Sequence, residues 1–231
     1  MDVTDALVKR FSCRAFTQEQ VKREVVLGVL AAATRAPSWG NTQPWEIFVA
    51  GGEVLERIRQ AYLNNARKGV PHHPDLAAPK RDQWPTAMQK RTDELVAARF
   101  PAGVRPGDAT AQEVIRVINE QNYRFFGAPA VMYLCMDRSL TPWSIFDLGS
   151  LSLAIMLAAT EKGLGTAPAF MLVVYPDLIR KELSIPPNLS IVFGVALGYP
   201  DTENVLNKNR STRRPIAEVV RTKGLSPSSG P

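Results

Sequence analysis

Between Ser144 and Lys162 the chain carries Ile145, Leu148, Leu151, Leu153, Ile155, Met156 and Leu157 around nearly the whole circumference of a helix. A one-sided surface helix keeps a polar face in water, so this helix must be central or lie at a subunit interface. Asp147, Ser150 and Ser152 interrupt the apolar run and Glu161-Lys162 closes it, which argues against a membrane span. Such a helix has to be enclosed, and two apolar runs of strand length are available. Ala130 to Met136 is continuous and fits a strand buried on both faces; Ile191 to Leu197 is a second candidate. With 45% hydrophobic residues among 231 and no linker or repeat, one domain over residues 1–223 is expected. The Ser/Pro/Gly-rich stretch 224–231 is expected to be a disordered tail.

The remaining elements alternate around this centre. Residues 2 to 10 read as a short helix with Ala6 and Leu7 inward and Lys9 and Arg10 at its carboxyl end. Thr17-Gln18-Glu19-Gln20 has the form of a capping box, and Val21, Val25, Val29 and Ala33 recur four apart, predicting a helix over about 18–35. Trp45 to Ala50 reads as a strand closed by Gly51-Gly52, and Glu53 to Arg67 as an amphipathic helix. Helical patterns return over Thr86 to Arg99, over Asp108 to Asn122 with Asp108 as N-cap, and over Pro176 to Leu183. Gly163-Leu164-Gly165-Thr166 is the cap of the apolar helix and not a phosphate loop, because no Gly-Lys-Ser/Thr follows.

Charge and cysteines narrow the partners. The net charge of +6 is spread among acids without a basic helical stripe, which excludes nucleic acid as the expected partner. Cys13 and Cys135 lie far apart and the N-terminus has no secretory pattern, so a reduced, cytoplasmic protein is expected. His72 and His73 sit between Pro71 and Pro74 without an acidic or thiol partner at ligand spacing; they are read as surface residues, and no metal is expected.

Two stretches concentrate polar chemistry. Arg10-Phe11-Ser12-Cys13-Arg14 places two guanidiniums and a hydroxyl at alternate positions, on one face if extended. Ala36-Pro37-Ser38-Trp39-Gly40-Asn41-Thr42-Gln43-Pro44-Trp45 stiffens a helix-to-strand connection with two prolines and fills it with amides and hydroxyls, as a binding loop would. Taken in order with Asp147-x-Gly149, Gly163-Leu164-Gly165-Thr166 and Leu197-Gly198-Tyr199-Pro200, these motifs resemble the FMN-dependent nitroreductase family across nearly the whole chain. Trp39 stands where a small residue is expected in that family's loop.

The resemblance implies an α+β fold, a three-layer sandwich whose central, mostly antiparallel sheet is flanked by helices, with a C-terminal arm exchanged in a homodimer. It implies FMN as cofactor, with NADPH or NADH as electron donor in a ping-pong reduction of nitroaromatic or quinone-like acceptors. Arg10, Phe11, Ser12, Arg210 and Arg213 would hold phosphate and ribityl groups, and Arg14 the pyrimidine edge. Pro37, Ser38, Trp39 and Asn41 would reach the neighbouring subunit's flavin, while Thr166, Pro168, Ala169 and Phe170 would lie along the ring. Residues about 64–124 resemble the family's variable insertion over the pocket, with Trp39, Trp84, Met88, Tyr123, Phe125 and Phe126 as candidate walls. No protein residue is expected to be catalytic, since the hard chemistry belongs to the flavin. Related readings are reductive dehalogenation, enoate reduction, flavin fragmentation, and an FMN-binding or sensing protein without turnover.

Overall fold

The computed structural model describes residues 1–77, 80–98 and 109–225; the expected N-cap at Asp108 and the tail residues 226–231 lie outside them. The helices are α1 (Val3–Lys9), α2 (Arg23–Ala33), α3 (Gly52–Arg67), α4 (Thr86–Ala97), α5 (Ala109–Tyr123), α6 (Pro142–Glu161), α7 (Pro176–Leu183) and α8 (Ile216–Val219). The strands are β1 (Glu46–Gly51), β2 (Ala130–Asp137), β3 (Gly165–Ala169) and β4 (Leu189–Gly198), in the sheet order β1-β2-β4-β3 with every neighbouring pair antiparallel.

The two-residue period of β2 divides the core. Val131, Tyr133 and Cys135 point to one face, where they meet Leu55, Ile58 and Tyr62 of α3 and Ile179 of α7. Ala130, Met132, Leu134 and Met136 point to the other, against Val26, Val29 and Ala33 of α2 and Leu148, Leu151 and Ile155 of α6. Each fully buried Leu or Ile of this kind stabilises the fold by about 2 kcal/mol relative to exposure. Helix, sheet and helix thus form the three layers expected. Helix α6 buries Leu148, Leu151, Ile155 and Ala159, and turns Trp143 and Phe146 outward at 73% and 71% exposure. Among the described residues it is the one helix long and apolar enough to cross a membrane, yet it packs on α2 and β3.

Several sequence expectations are corrected. Helix α2 begins at Arg23, not near residue 18, and Lys22 is its N-cap with no side-chain bond. The reason is that Phe16 forms a bridge with Pro200 and the Thr17 N–H donates to the Tyr199 carbonyl at 2.9 Å, which holds this stretch extended. Leu7 is 47% exposed, so only Ala6 of the pair is buried. Strand β3 was not anticipated; its Pro168 is tolerated because β3 lies at the sheet edge. Phe125 and Phe126 are core residues and not pocket walls: both are buried, and Phe125 meets Tyr62 edge to face at 4.8 Å.

Candidate functional site

The site starts where α1 stops. The Arg10 N–H donates to the Ala6 carbonyl at 2.9 Å, and Arg10 then takes extended dihedrals that release the chain towards β3. Ser12 pairs in parallel with Thr166, and the Cys13 N–H donates to the Thr166 carbonyl at 2.8 Å. Alternation follows: Cys13 and Ala15 are buried, while Ser12 and Arg14 stay half-buried. The close approach needs glycine at position 165, where an added Cβ would stand 2.9 Å from the Cys13 Cβ. Burial pushes the Cys13 thiol up to about 11, against the pull of the Ala15 backbone, Asn207, Arg14 and Arg210. It is therefore a packing thiol and not a nucleophile at neutral pH.

The segment after β4 returns to this stretch. Asn207, which is buried, accepts the Arg14 N–H on Oδ1 at 2.7 Å. Its Nδ2 donates to the carbonyls of Ala15 at 2.7 Å and Asp201 at 2.8 Å. The Arg210 guanidinium donates to the Asn207 carbonyl and lies over the Phe11 ring. Arg213 donates to the Ser211 hydroxyl at 2.8 Å and to nearby carbonyls. Arg10 is held below its ordinary value by burial and by the charge of Arg213. Guanidiniums brought together on neutral oxygens, with one partly desolvated, make an anion-binding arrangement.

The polar loop is fastened elsewhere. The Trp39 N–H points at both carboxylate oxygens of Asp147 on α6, at 3.3 and 3.2 Å. Ser38 Oγ accepts the Gln43 N–H at 2.9 Å, and Gln43 Nε2 donates to Asn41 Oδ1 at 3.2 Å. Gly40, Asn41 and Gln43 have φ values of 55°, 55° and 47°. For Gln43 this left-handed backbone costs roughly 1 kcal/mol. The Trp39 ring is 78% exposed, and Pro37 and Asn41 are exposed with it. The sites expected from one motif set thus separate into an arginine seam beside β3 and a loop presented outward on α6.

A cleft of about 720 Å³ opens between α4 and residues 210–213, lined by Trp84, Met88, Arg91, Leu95, Arg210 and Arg213 among others. Asn209 Nδ2 donates to the Ala98 carbonyl at 3.0 Å and joins its two walls. Of the expected walls, Trp84 and Met88 line this cleft. Tyr123 does not; its hydroxyl meets His72 Nε2 at 3.0 Å. The two histidines, though exposed, are engaged: both rings pack on Tyr175, and His73 Nε2 is 3.2 Å from Asp177 Oδ1. Pro168, Ala169 and Phe170 are half-buried at the end of β3. Asn207 was missed from the sequence, since nothing among the asparagines at 204, 207 and 209 separates a buried clamp from a turn asparagine.

The layers and the arginine seam define an α+β protein with guanidiniums gathered beside the edge strand of its sheet. The model of the nitroreductase family matches residues 7–199, and the chain belongs to that family. It is 32% identical over 222 residues to the nitrobenzene nitroreductase of Ectopseudomonas oleovorans, covering 94% of this chain and 95% of that one. The FMN and NADPH-dependent nitroreductase NfnB from Sphigopyxis sp. strain HMH superposes with a TM-score of 0.87 at 28% identity, over 97% of this chain and all of that one. NfnB from Mycobacterium smegmatis, an FMN-dependent nitroreductase solved in complex with NADPH, gives a TM-score of 0.86 at 27% identity, over 96% of this chain and all of that one.

Proposed function

We propose that the chain is an FMN-dependent nitroreductase that uses NAD(P)H to reduce nitroaromatic acceptors. The observation that carries this reading is the gathering of Arg10, Arg210 and Arg213 beside Ser12, Phe11 and Thr166, with Arg10 partly desolvated against Arg213. A phosphate would relieve that repulsion, and the neighbouring hydroxyls and half-buried backbone of Pro168, Ala169 and Phe170 suit a ribityl chain and a flat ring. When bound, FMN would supply the hydride chemistry, ping-pong, between the nicotinamide donor and a nitroaromatic or quinone-like acceptor. Arg14 would set a fixed cation at the ring edge where negative charge gathers on reduction. Trp84 and Met88 would give donor and acceptor an apolar surface to occupy in turn.

The outward loop completes the reading. Pro37, Ser38, Trp39 and Asn41 are exposed or half-buried in one chain and would complete the flavin site of a second copy. The apolar outer face of α6, with Trp143 and Phe146, supports such a homodimer, and the exposed Ile216 and Val219 of α8 suit an exchanged C-terminal arm. Residues 1–223 would form one domain with 64–124 as its lid. Two free, buried cysteines fit a reducing, cytoplasmic setting.

Anaerobic absorbance tests the function. A flavin spectrum that bleaches with NADPH and returns with a nitroaromatic is the expected result. A protein that cannot be loaded with FMN would sink the reading, and bound flavin that stays oxidised would point to a binder without turnover.

A further inference from the structure

We infer that Asn207 is a positioning residue that holds the two arginine-bearing segments of the site in register, an inference that rests on the FMN reading above. Its side chain is 3% exposed and both polar atoms are used, Oδ1 by the Arg14 N–H and Nδ2 by the carbonyls of Ala15 and Asp201. Its own carbonyl accepts the Arg210 guanidinium, whose flat face rests on Phe11. One residue thereby fixes the backbone that carries Arg14, for the ring edge, and the guanidinium of Arg210, for the phosphate.

The geometry is specific to an amide. Leucine would remove the Oδ1 that the Arg14 N–H donates to. Aspartate keeps that acceptor but places a carboxylate oxygen against two carbonyls, and it brings a negative charge next to Arg14 and Arg210. Asn207 therefore acts on cofactor affinity and on flavin electronics through its neighbours.

The test compares FMN with riboflavin, which lacks the phosphate, on the purified chain and on Asn207→Ala and Asn207→Asp. Flavin fluorescence gives the two dissociation constants, potentiometry gives the midpoint potential of bound FMN, and thermal melting is recorded in parallel. We expect the preference for FMN over riboflavin to fall about tenfold or more in both variants, the scale of one lost charge-assisted bond. The midpoint potential should become more negative, most in Asn207→Asp. A preference and potential unchanged from the parent, even with a lower melting temperature, would show an ordinary buried asparagine and overturn the assignment. Should Asn207→Ala fail to fold, the near-isosteric Asn207→Asp is read by the same two quantities. A parent chain that binds neither flavin would instead overturn the FMN reading itself.

Discussion

The guanidinium carbon of Arg210 lies 3.7 Å from the centroid of the Phe11 ring, joining a residue just after α1 to one well beyond β4. The ring supports the flat face of the cation and leaves its edge to donate hydrogen bonds. Phe11 thus orients the guanidinium of Arg210.

Replacing Phe11 by leucine keeps apolar bulk and removes the π face. At a partly open site such a contact is worth about 0.5–1 kcal/mol, so FMN should bind about twofold to fivefold more weakly. Titration by flavin fluorescence checks this; an unchanged dissociation constant would show that the stacking is incidental.

Asp147 is 3% exposed and faces the Trp39 N–H with both carboxylate oxygens. Asp147→Ala should free the loop where it is fastened to α6. The Trp39 amide should exchange with solvent at least about tenfold faster, and turnover should fall by about the same factor. Hydrogen exchange by mass spectrometry reads the first effect directly, and a Trp39 amide as protected as in the parent would count against this anchor.

An alanine at position 165 would bring its Cβ within 2.9 Å of the Cys13 Cβ, 3.0 Å of Cys13 Sγ and 3.3 Å of the Pro200 Cβ. The two Cβ atoms cannot swing aside, so the backbone around the Ser12–Thr166 bridge should shift. Gly165→Ala should cost about 1–3 kcal/mol of stability and weaken flavin binding together with it. Denaturant unfolding with and without FMN separates the two.

Asp75 roots the segment after α3 onto the core. Its carboxylate accepts the Ile191 N–H at 2.8 Å and pairs with Arg138 and Arg180. Burial alone would raise it, but the Ile191 bond and the two guanidiniums outweigh burial and hold it below its ordinary value of 3.8. A depressed acid stabilises the fold above its unfolded value and loses that contribution as pH falls through the folded one. Stability should therefore drop below pH 3.8, and Asp75→Asn should flatten this acid limb while costing about 2 kcal/mol at neutral pH. Urea melts from pH 3 to 7 would test it; parallel curves for the two proteins would remove Asp75 from the account.

Much of the fold was legible because its signals are local. The apolar runs of β2 and β4, the circumference of α6 and the pattern of α3 each report burial through their own sequence. What was not legible depended on distant partners. Thr17 to Gln20 has the letters of a capping box, but Tyr199 and Pro200 hold Phe16 and Thr17 extended and α2 starts later. Strand β3 hides behind Gly165, which the approach of Cys13 requires, and Pro168, which the sheet edge tolerates. In the site, Arg10, Ser12 and Arg14 could be placed by alternation, and Trp84 and Met88 do line the cleft. Phe125 and Phe126 looked like pocket walls because an aromatic gives the same signal in a core as in a cleft. Their partners, Tyr62 among them, are supplied by a different element.

The bond between the Arg14 N–H and Asn207 spans 193 positions of sequence. Helices of this fold can take shape while the polypeptide is still being synthesised, but the arginine seam cannot, because Arg10 to Arg14 must wait for Asn207, Arg210 and Arg213. The sheet closes no earlier, because β4, which joins β2 to β3, ends at Gly198, just before Asn207, so sheet and seam are completed by the same stretch of chain.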